Sequence, residues 1–264
     1  MAVKWDLPPE PIPSWLDPLT EITEENDAPK PPLSVLIPLI IDACLALGCN
    51  IIQALGVAAN VMSEIGWHSA FRGCNLGGVK IWESSVKGYI KKYGKSPKWY
   101  RARGNKTSGD PPWCYYRAYD SIEAFIAEWL LKFVPKLGSI PPAPTHGTDQ
   151  YIYRKTGIAF WSNTAWFPEL IQAGYKGAVT KTRPQSSILS HESLKHEVAE
   201  WWAQSRLKST IKDPVVRAAF VIDGSWGAKS VALCKQFEQA HGLTPDGLLE
   251  PATLEKLVTA TTRA

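Results

Sequence analysis

The chain has 264 residues, 45% hydrophobic and 20% charged, the balance of a globular fold long enough for one well-cored domain and a smaller second one. Its formal net charge of +4 is spread without a basic stripe, so no nucleic-acid partner is indicated, although the mild excess suits an acidic polymer. Five cysteines in no C-x-x-C arrangement indicate neither a disulfide framework nor a zinc ribbon.

Residues 1–32 read as an extended, proline-rich N-terminal arm. Pro29, Pro31 and Pro32 each fix φ and push the preceding residue out of the helical region, so no helix is expected before Leu33. Lys4 is followed by Asp6, Glu10, Asp17, Glu21, Glu24, Glu25 and Asp27, which is no charged n-region with an apolar h-region, and no Sec signal peptide is read there. Leu33 to Leu47 is apolar nearly all round and predicts a buried helix, with Pro38 in or near its first turn and Gly48 at the C-terminal cap. The run carries Asp42 and is too short to span a bilayer, so no membrane span is expected. Cys44 and Cys49 read as small apolar packers. Asn50 can cap a second helix, in which Ile52, Leu55, Ala59 and Met62 recur at helical spacing up to Glu64.

Lys80 to Trp113 is polar and rich in glycine and aromatics, and predicts a short β-region or lobe. Ser121 opens a helix over Ile122 to Val134, with Phe125, Trp129 and Phe133 as a core stripe. Prolines 141, 142 and 144 break the pattern again, and the polar stretch from Lys181 to Ser190 reads as an interdomain linker. Beyond it, Leu194, Val198, Trp201 and Ser205 mark an amphipathic helix. A short repeat follows: Asp223-Gly224 precedes Ser230, Val231 and Cys234 at the offsets by which Asp246-Gly247 precedes Thr253, Leu254 and Leu257. Each unit is a turn that needs glycine for positive φ, then a helix whose first apolar positions face inward.

Chemistry concentrates after the second helix. Glu64 ends an apolar helical run and is followed at once by a Gly-Trp turn and a Gly-rich segment. A carboxyl group left where apolar walls meet a wet cleft has its ionised form disfavoured, which suits it to act as a general acid near neutral pH. A helix C-terminus is also the unfavourable end for an anion by about 0.3 to 1 kcal/mol. Glycosidic-bond cleavage needs such a donor, together with a second carboxylate or the substrate's own N-acetyl group to stabilise an oxocarbenium-like centre. Glu83 is the first candidate for the second carboxylate and Asp110 the next; attack by a sugar hydroxyl, as in a transglycosylase, is the remaining option. Trp67, Trp82, Trp99, Tyr100, Trp113, Tyr115 and Tyr116 lie in or near the lobe, where their faces can stack on sugar rings.

Two resemblances rest on these residues. Asp223-Gly224-Ser225-Trp226-Gly227-Ala228-Lys229-Ser230, with Phe237, Gly242-Leu243, Asp246-Gly247 and Thr253, resembles the small three-helix peptidoglycan-binding domain appended to many wall hydrolases. It implies that Asp223, Trp226 and Asp246 belong to a wall-binding domain. Glu64-Ile65-Gly66-Trp67, Cys74-Asn75-Leu76-Gly77-Gly78-Val79-Lys80 and Tyr116-Arg117-Ala118-Tyr119-Asp120-Ser121 are similar, in order and spacing, to motifs of the flagellar-type glucosaminidases (glycoside hydrolase family 73). That resemblance implies a lysozyme-like fold with Glu64 as general acid, and Trp67, Asn75, Lys80 and Tyr119 as substrate-binding residues. Trp161 and Trp166 join them, standing in a segment where the family carries tyrosines, so that an aromatic ring is kept and a hydroxyl lost.

The expected fold is mainly α: residues 1–32 an arm, residues 33–182 a lysozyme-like α+β glycosidase domain with a small β-lobe, and residues 183–264 a three-helix wall-binding domain. The expected function is hydrolysis of the β-1,4 glycan backbone of peptidoglycan, by a monomer acting in the periplasm or on the wall. Delivery without a Sec signal implies a phage holin or a bacterial secretion machine such as type VI, the latter adding an immunity protein or a machine component as partner. No cofactor and no metal are expected. His191 and His196, five residues apart, stand about 140° apart round a helix and cannot chelate together, while His68, His146 and His241 lack partners at ligand spacing. Two rival readings stand beside this one: a cysteine peptidase or amidase using Cys74 or Cys114 with His146, and a non-catalytic wall-binding protein.

Overall fold

The computed structural model describes residues 10–25, 27, 29–65, 71–104, 109–133 and 185–261. Among these the elements in chain order are a short 3-10 helix (Pro18–Thr20), α1 (Leu33–Ala46), α2 (Ile51–Glu64), α3 (Glu83–Tyr93), β1 (Trp99–Arg103), β2 (Trp113–Arg117), α4 (Ile122–Phe133), α5 (Gln185–Thr210), α6 (Pro214–Ala219), α7 (Ala228–Ala240) and α8 (Pro251–Ala260). A helical turn therefore does form before Leu33, because Asp17 accepts from Leu19 N–H and Pro18 supplies the first helical φ. The fold is mainly helical with one small two-stranded sheet. Two compact units form, each from two separated stretches: Met1–Lys30 with Glu64–Phe125, and Pro31–Ser63 with Ile126–Ala264. None of the described helices is long and apolar enough to cross a membrane.

In the first unit β1 and β2 pair antiparallel, with Trp99 opposite Arg117 and Arg103 opposite Trp113. A lone two-stranded ribbon is marginal in water, and here both edges are covered. Ile22 N–H donates to Trp99 O at 2.6 Å beside β1, while Ile81 N–H donates to Tyr115 O and Arg117 N–H to Val79 O, both at 2.9 Å, beside β2. Leu16, Ile81, Val86 and Trp99 form the buried cluster beneath, with Ile12, Trp15 and Tyr115 packed against it.

The described part of the N-terminal arm thus contributes Ile12, Trp15 and Leu16 to this unit's core. Trp99 Nε1 donates to Asp17 O at 2.9 Å, Thr20 Oγ1 to Pro97 O at 2.9 Å and Tyr115 Oη to Glu10 Oε1 at 2.7 Å. The arm is a turn, with Leu16 N–H donating to Pro13 O at 2.9 Å, and then a 3-10 helix; neither shows apolar periodicity, so Ile12, Trp15 and Leu16 gave no sign of the ribbon they cover. The helix α3 was likewise not expected within the lobe. Val86 is its one buried residue; its start is set by Trp82 N–H donating to Ser85 Oγ at 2.8 Å and its end by Gly94 at φ 70°.

The second unit is centred on α5, which packs against α1, α7 and α8. Its residues Val198, Trp202, Ala203 and Leu207 are buried, and so are the polar Gln204, Ser205 and Arg206. Asp42 of α1 accepts from Trp202 Nε1 at 3.0 Å and pairs with Arg206, whose Nη1 also donates to Thr261 O at 3.2 Å. Gln185 onward is helical, so within the stretch expected as a linker residues 185–190 belong to α5, and residues 181–184 lie outside the described residues.

Both Asp-Gly turns take the conformation their glycines permit, with φ of 70° at Gly224 and 78° at Gly247. Asp223 Oδ1 accepts from Ser225 N–H at 2.9 Å and Asp246 Oδ1 from Leu248 N–H at 2.8 Å, so the two turns are closed alike. Each is received by a buried polar side chain of an earlier helix. Gln204 Oε1 accepts from the N–H groups of Asp223 and Gly224, and its Nε2 donates to Ser230 Oγ; Glu238 accepts from Gly247 N–H and from Thr253 Oγ1. A Cβ on Gly224 would lie 2.1 Å from the Trp201 indole nitrogen, so this turn excludes a side chain by space as well as by φ.

Candidate functional site

The first unit holds a cleft of about 650 Å³ that begins at Ile65, the residue after Glu64. Phe71, Arg72, Asn75, Leu76 and Gly78 form one wall, Tyr100 to Arg103 of β1 with Trp113 and Tyr116 of β2 another, and Glu24 of the arm closes part of the rim. Local backbone makes the first wall possible. Gly73 (φ 56°) and Cys74 (φ 52°) are successive left-handed residues, and a Cβ on Gly73 would sit 2.5 Å from that of Ala118. Gly73 is tied down by its N–H donating to Asp27 Oδ1 at 3.0 Å and by its O accepting from Tyr119 N–H at 2.7 Å.

The β wall is aromatic and cationic. Tyr100 and Tyr116 stack with ring centroids 5.1 Å apart and planes 11° apart. Burial pushes both hydroxyls up from their ordinary pKa, so they stay protonated donors over the physiological range. Arg101 and Arg103 lie over the Trp113 ring at 5.7 and 4.7 Å, and Arg72 over Tyr100 at 5.9 Å. Two arm carboxylates meet these cations: Glu24 pairs with Arg72 at 2.6 Å, and Glu21 with Arg101 at 3.1 Å. Flat rings flanked by guanidinium groups offer stacking surface for a sugar's C–H face and fixed donors for its oxygens or for a carboxylate.

The expected site residues fall into distinct places. Glu64 is the last residue of α2, and Ile65, which follows it, lines the cleft. Asn75 lines the cleft and is bonded to the lobe itself: Nδ2 donates to Val79 O and Arg117 O, and Oδ1 accepts from Val79 N–H, all within 3.0 Å. That network holds the 75–79 turn and fixes the orientation of the amide in the cleft wall. Lys80 pairs with Asp110 at 2.5 Å; burial works to lower its pKa, and the bond to Asp110 with the nearby Cys114 outweighs it, so the net direction is up. Tyr119 is buried, edge-on to Phe125 with centroids 5.3 Å apart, and is not in the described cleft lining. Glu83 opens α3 on an exposed face and pairs with Lys87 at 2.6 Å; neither it nor Asp110 is in the described lining. Asp223, Asp246 and Trp226 shape the C-terminal turns, Trp226 Nε1 donating to Gly247 O at 3.0 Å. Trp67, His146, Trp161 and Trp166 lie outside the described residues.

Arg72, Arg101, Arg103 and Glu24 were not anticipated. Alternation along β1 would have placed Arg101 and Arg103 on one face, but Glu21, which pairs with Arg101, comes from the arm, which carries no strand pattern. Among the described residues no group of three His, Cys, Asp or Glu side chains is placed to hold a metal ion. Comparison of the chain with protein-family models, with curated proteins and with solved structures finds no match.

Proposed function

We propose that the chain is a peptidoglycan hydrolase that cleaves the β-1,4 glycan backbone, as an N-acetylglucosaminidase or muramidase. Glu64 is its general acid, and the turns and helices from Asp223 onward form a wall-binding part that holds the enzyme on its polymer. The observation that carries the reading is the cleft itself: it starts one residue after Glu64 and is walled by stacked tyrosines, Trp113 and three arginines. A strand of amino sugars bearing carboxylates has the chemistry to fill it. In this reading Glu64 protonates the leaving glycosidic oxygen. Stabilisation of the oxocarbenium-like centre falls to the substrate's N-acetyl group, because Glu83 and Asp110 are both engaged with lysines outside the described lining.

The thiols argue against the cysteine-peptidase rival. Burial raises the pKa of both Cys74 and Cys114, the reverse of what an activated thiolate nucleophile needs.

The test is digestion of purified sacculi by the full chain, with mass spectrometry of the released muropeptides for reducing-end identity and for a 1,6-anhydro product. Glu64→Gln is expected to lower lysis by about 100-fold or more while leaving the circular dichroism unchanged. Undiminished lysis by that variant, or release of peptides with intact glycan strands, overturns the proposal.

A further inference from the structure

The C-terminal end of α1 is closed by two backbone hydrogen bonds: Gly48 N–H to Leu45 O at 3.0 Å, and Cys49 N–H to Cys44 O at 3.1 Å. With Gly48 at φ 91°, this is the Schellman arrangement, which brings the side chains at its two ends into contact. Here the residues at those ends are both cysteines, both buried and both free thiols. Cys234, by contrast, directs its thiol to Glu238 Oε1 at 3.5 Å.

We propose that Cys44 and Cys49 are a redox-responsive pair that closes into an intrachain disulfide when the chain meets an oxidising small-molecule disulfide such as oxidised glutathione. A disulfide joins residues whose Cα atoms are about 4.4–6.8 Å apart, and a direct hydrogen bond between the two backbones supplies that proximity. The reaction runs in two exchanges. Cys49 as thiolate attacks one glutathione sulfur, forming a mixed disulfide and expelling one glutathione thiolate. Cys44 then attacks the Cys49 sulfur, and its proton passes to the second glutathione, which leaves as the thiol. Two protein thiols are oxidised by two electrons in all, and one glutathione disulfide is reduced to two thiols.

The environment assigns the order of attack. A hydrogen bond from Cys44 lowers the pKa of Cys49, whereas burial holds Cys44 well above the ordinary thiol value. Because α2 begins two residues after Cys49 and ends at Glu64, the bond pins the corner from which that helix starts. The inference stands apart from the glycosidase reading.

The experiment treats the reduced full chain with oxidised glutathione, quenches in acid, alkylates in denaturant with N-ethylmaleimide, and weighs the peptide that carries both residues. It is expected to be unalkylated and two hydrogens lighter than the dithiol, and in Cys44→Ser the remaining Cys49 is expected to be alkylated or capped by a single glutathione. Recovery of both wild-type sulfurs as alkylated thiols, or of each with its own glutathione, overturns the proposal. So does a bond from either residue to Cys74, Cys114 or Cys234.

Discussion

Asp42 is a charge inside an otherwise apolar helix, and in the sequence its only use was to bar α1 from a membrane. The structure gives it two partners 160 and more residues away: Trp202 Nε1 at 3.0 Å and the Arg206 guanidinium. Arg206 is itself buried, and its Nε has no partner among the described residues, so its charge leans on Asp42 and on Thr261 O. Removing Asp42, itself half-buried, leaves the buried Arg206 charge uncompensated. Asp42→Ala is therefore expected to lower stability by about 3 kcal/mol, seen as a reduced urea midpoint for the full chain. Asn75 makes the same point within the candidate site: its motif was visible, but the orientation of its amide depended on Val79 and Arg117 closing round it.

Among the elements, those announced by residues that constrain their own backbone were the legible ones. Prolines 29, 31 and 32 hold off the first α-helix until Leu33, Gly48 ends it, and the helices near Asn50 and Ser121 begin where their caps stand. What escaped notice, α3 and the packing of the arm, is owed to neighbours. Leu16 belongs to a segment with no periodicity, yet it is buried against Ile81, Val86 and Trp99. Leu16→Ala is expected to cost about 3 kcal/mol, through lost burial and the cavity left beneath β1. Loss of near-UV circular dichroism from Trp99 and Tyr115 at lower denaturant concentrations checks it. If the arm were a free tail the variant would melt like the parent.

Over the whole molecule, burial of thiols and phenols sets an alkaline limit. It raises Cys44, Cys74, Cys114 and Cys234, the last to about 12, and also Tyr100, Tyr115 and Tyr116, with Cys49 alone among these lowered. In the unfolded chain cysteines release protons from about pH 8.5 and tyrosines from about pH 10. The folded chain keeps them longer, so above that point the unfolded state binds fewer protons and stability falls as pH rises. The melting temperature is expected to be level between about pH 7 and 8 and several degrees lower near pH 10. A melting temperature that held or rose over that interval would contradict the assigned burial. By itself the sequence determined where backbone is forced: the starts of α1, α2 and α4, the Gly48 stop and the two Asp-Gly turns, because each depends on groups only a few positions apart. Only the tertiary structure decided that the arm forms part of a core, that the Asn75 amide is bonded to the lobe, and that Gln204 and Glu238 receive the turns. Those roles exist only once residues far apart in the chain, Asp42 with Arg206 or Leu16 with Trp99, are brought into contact and must satisfy each other's charge, hydrogen bonds and volume.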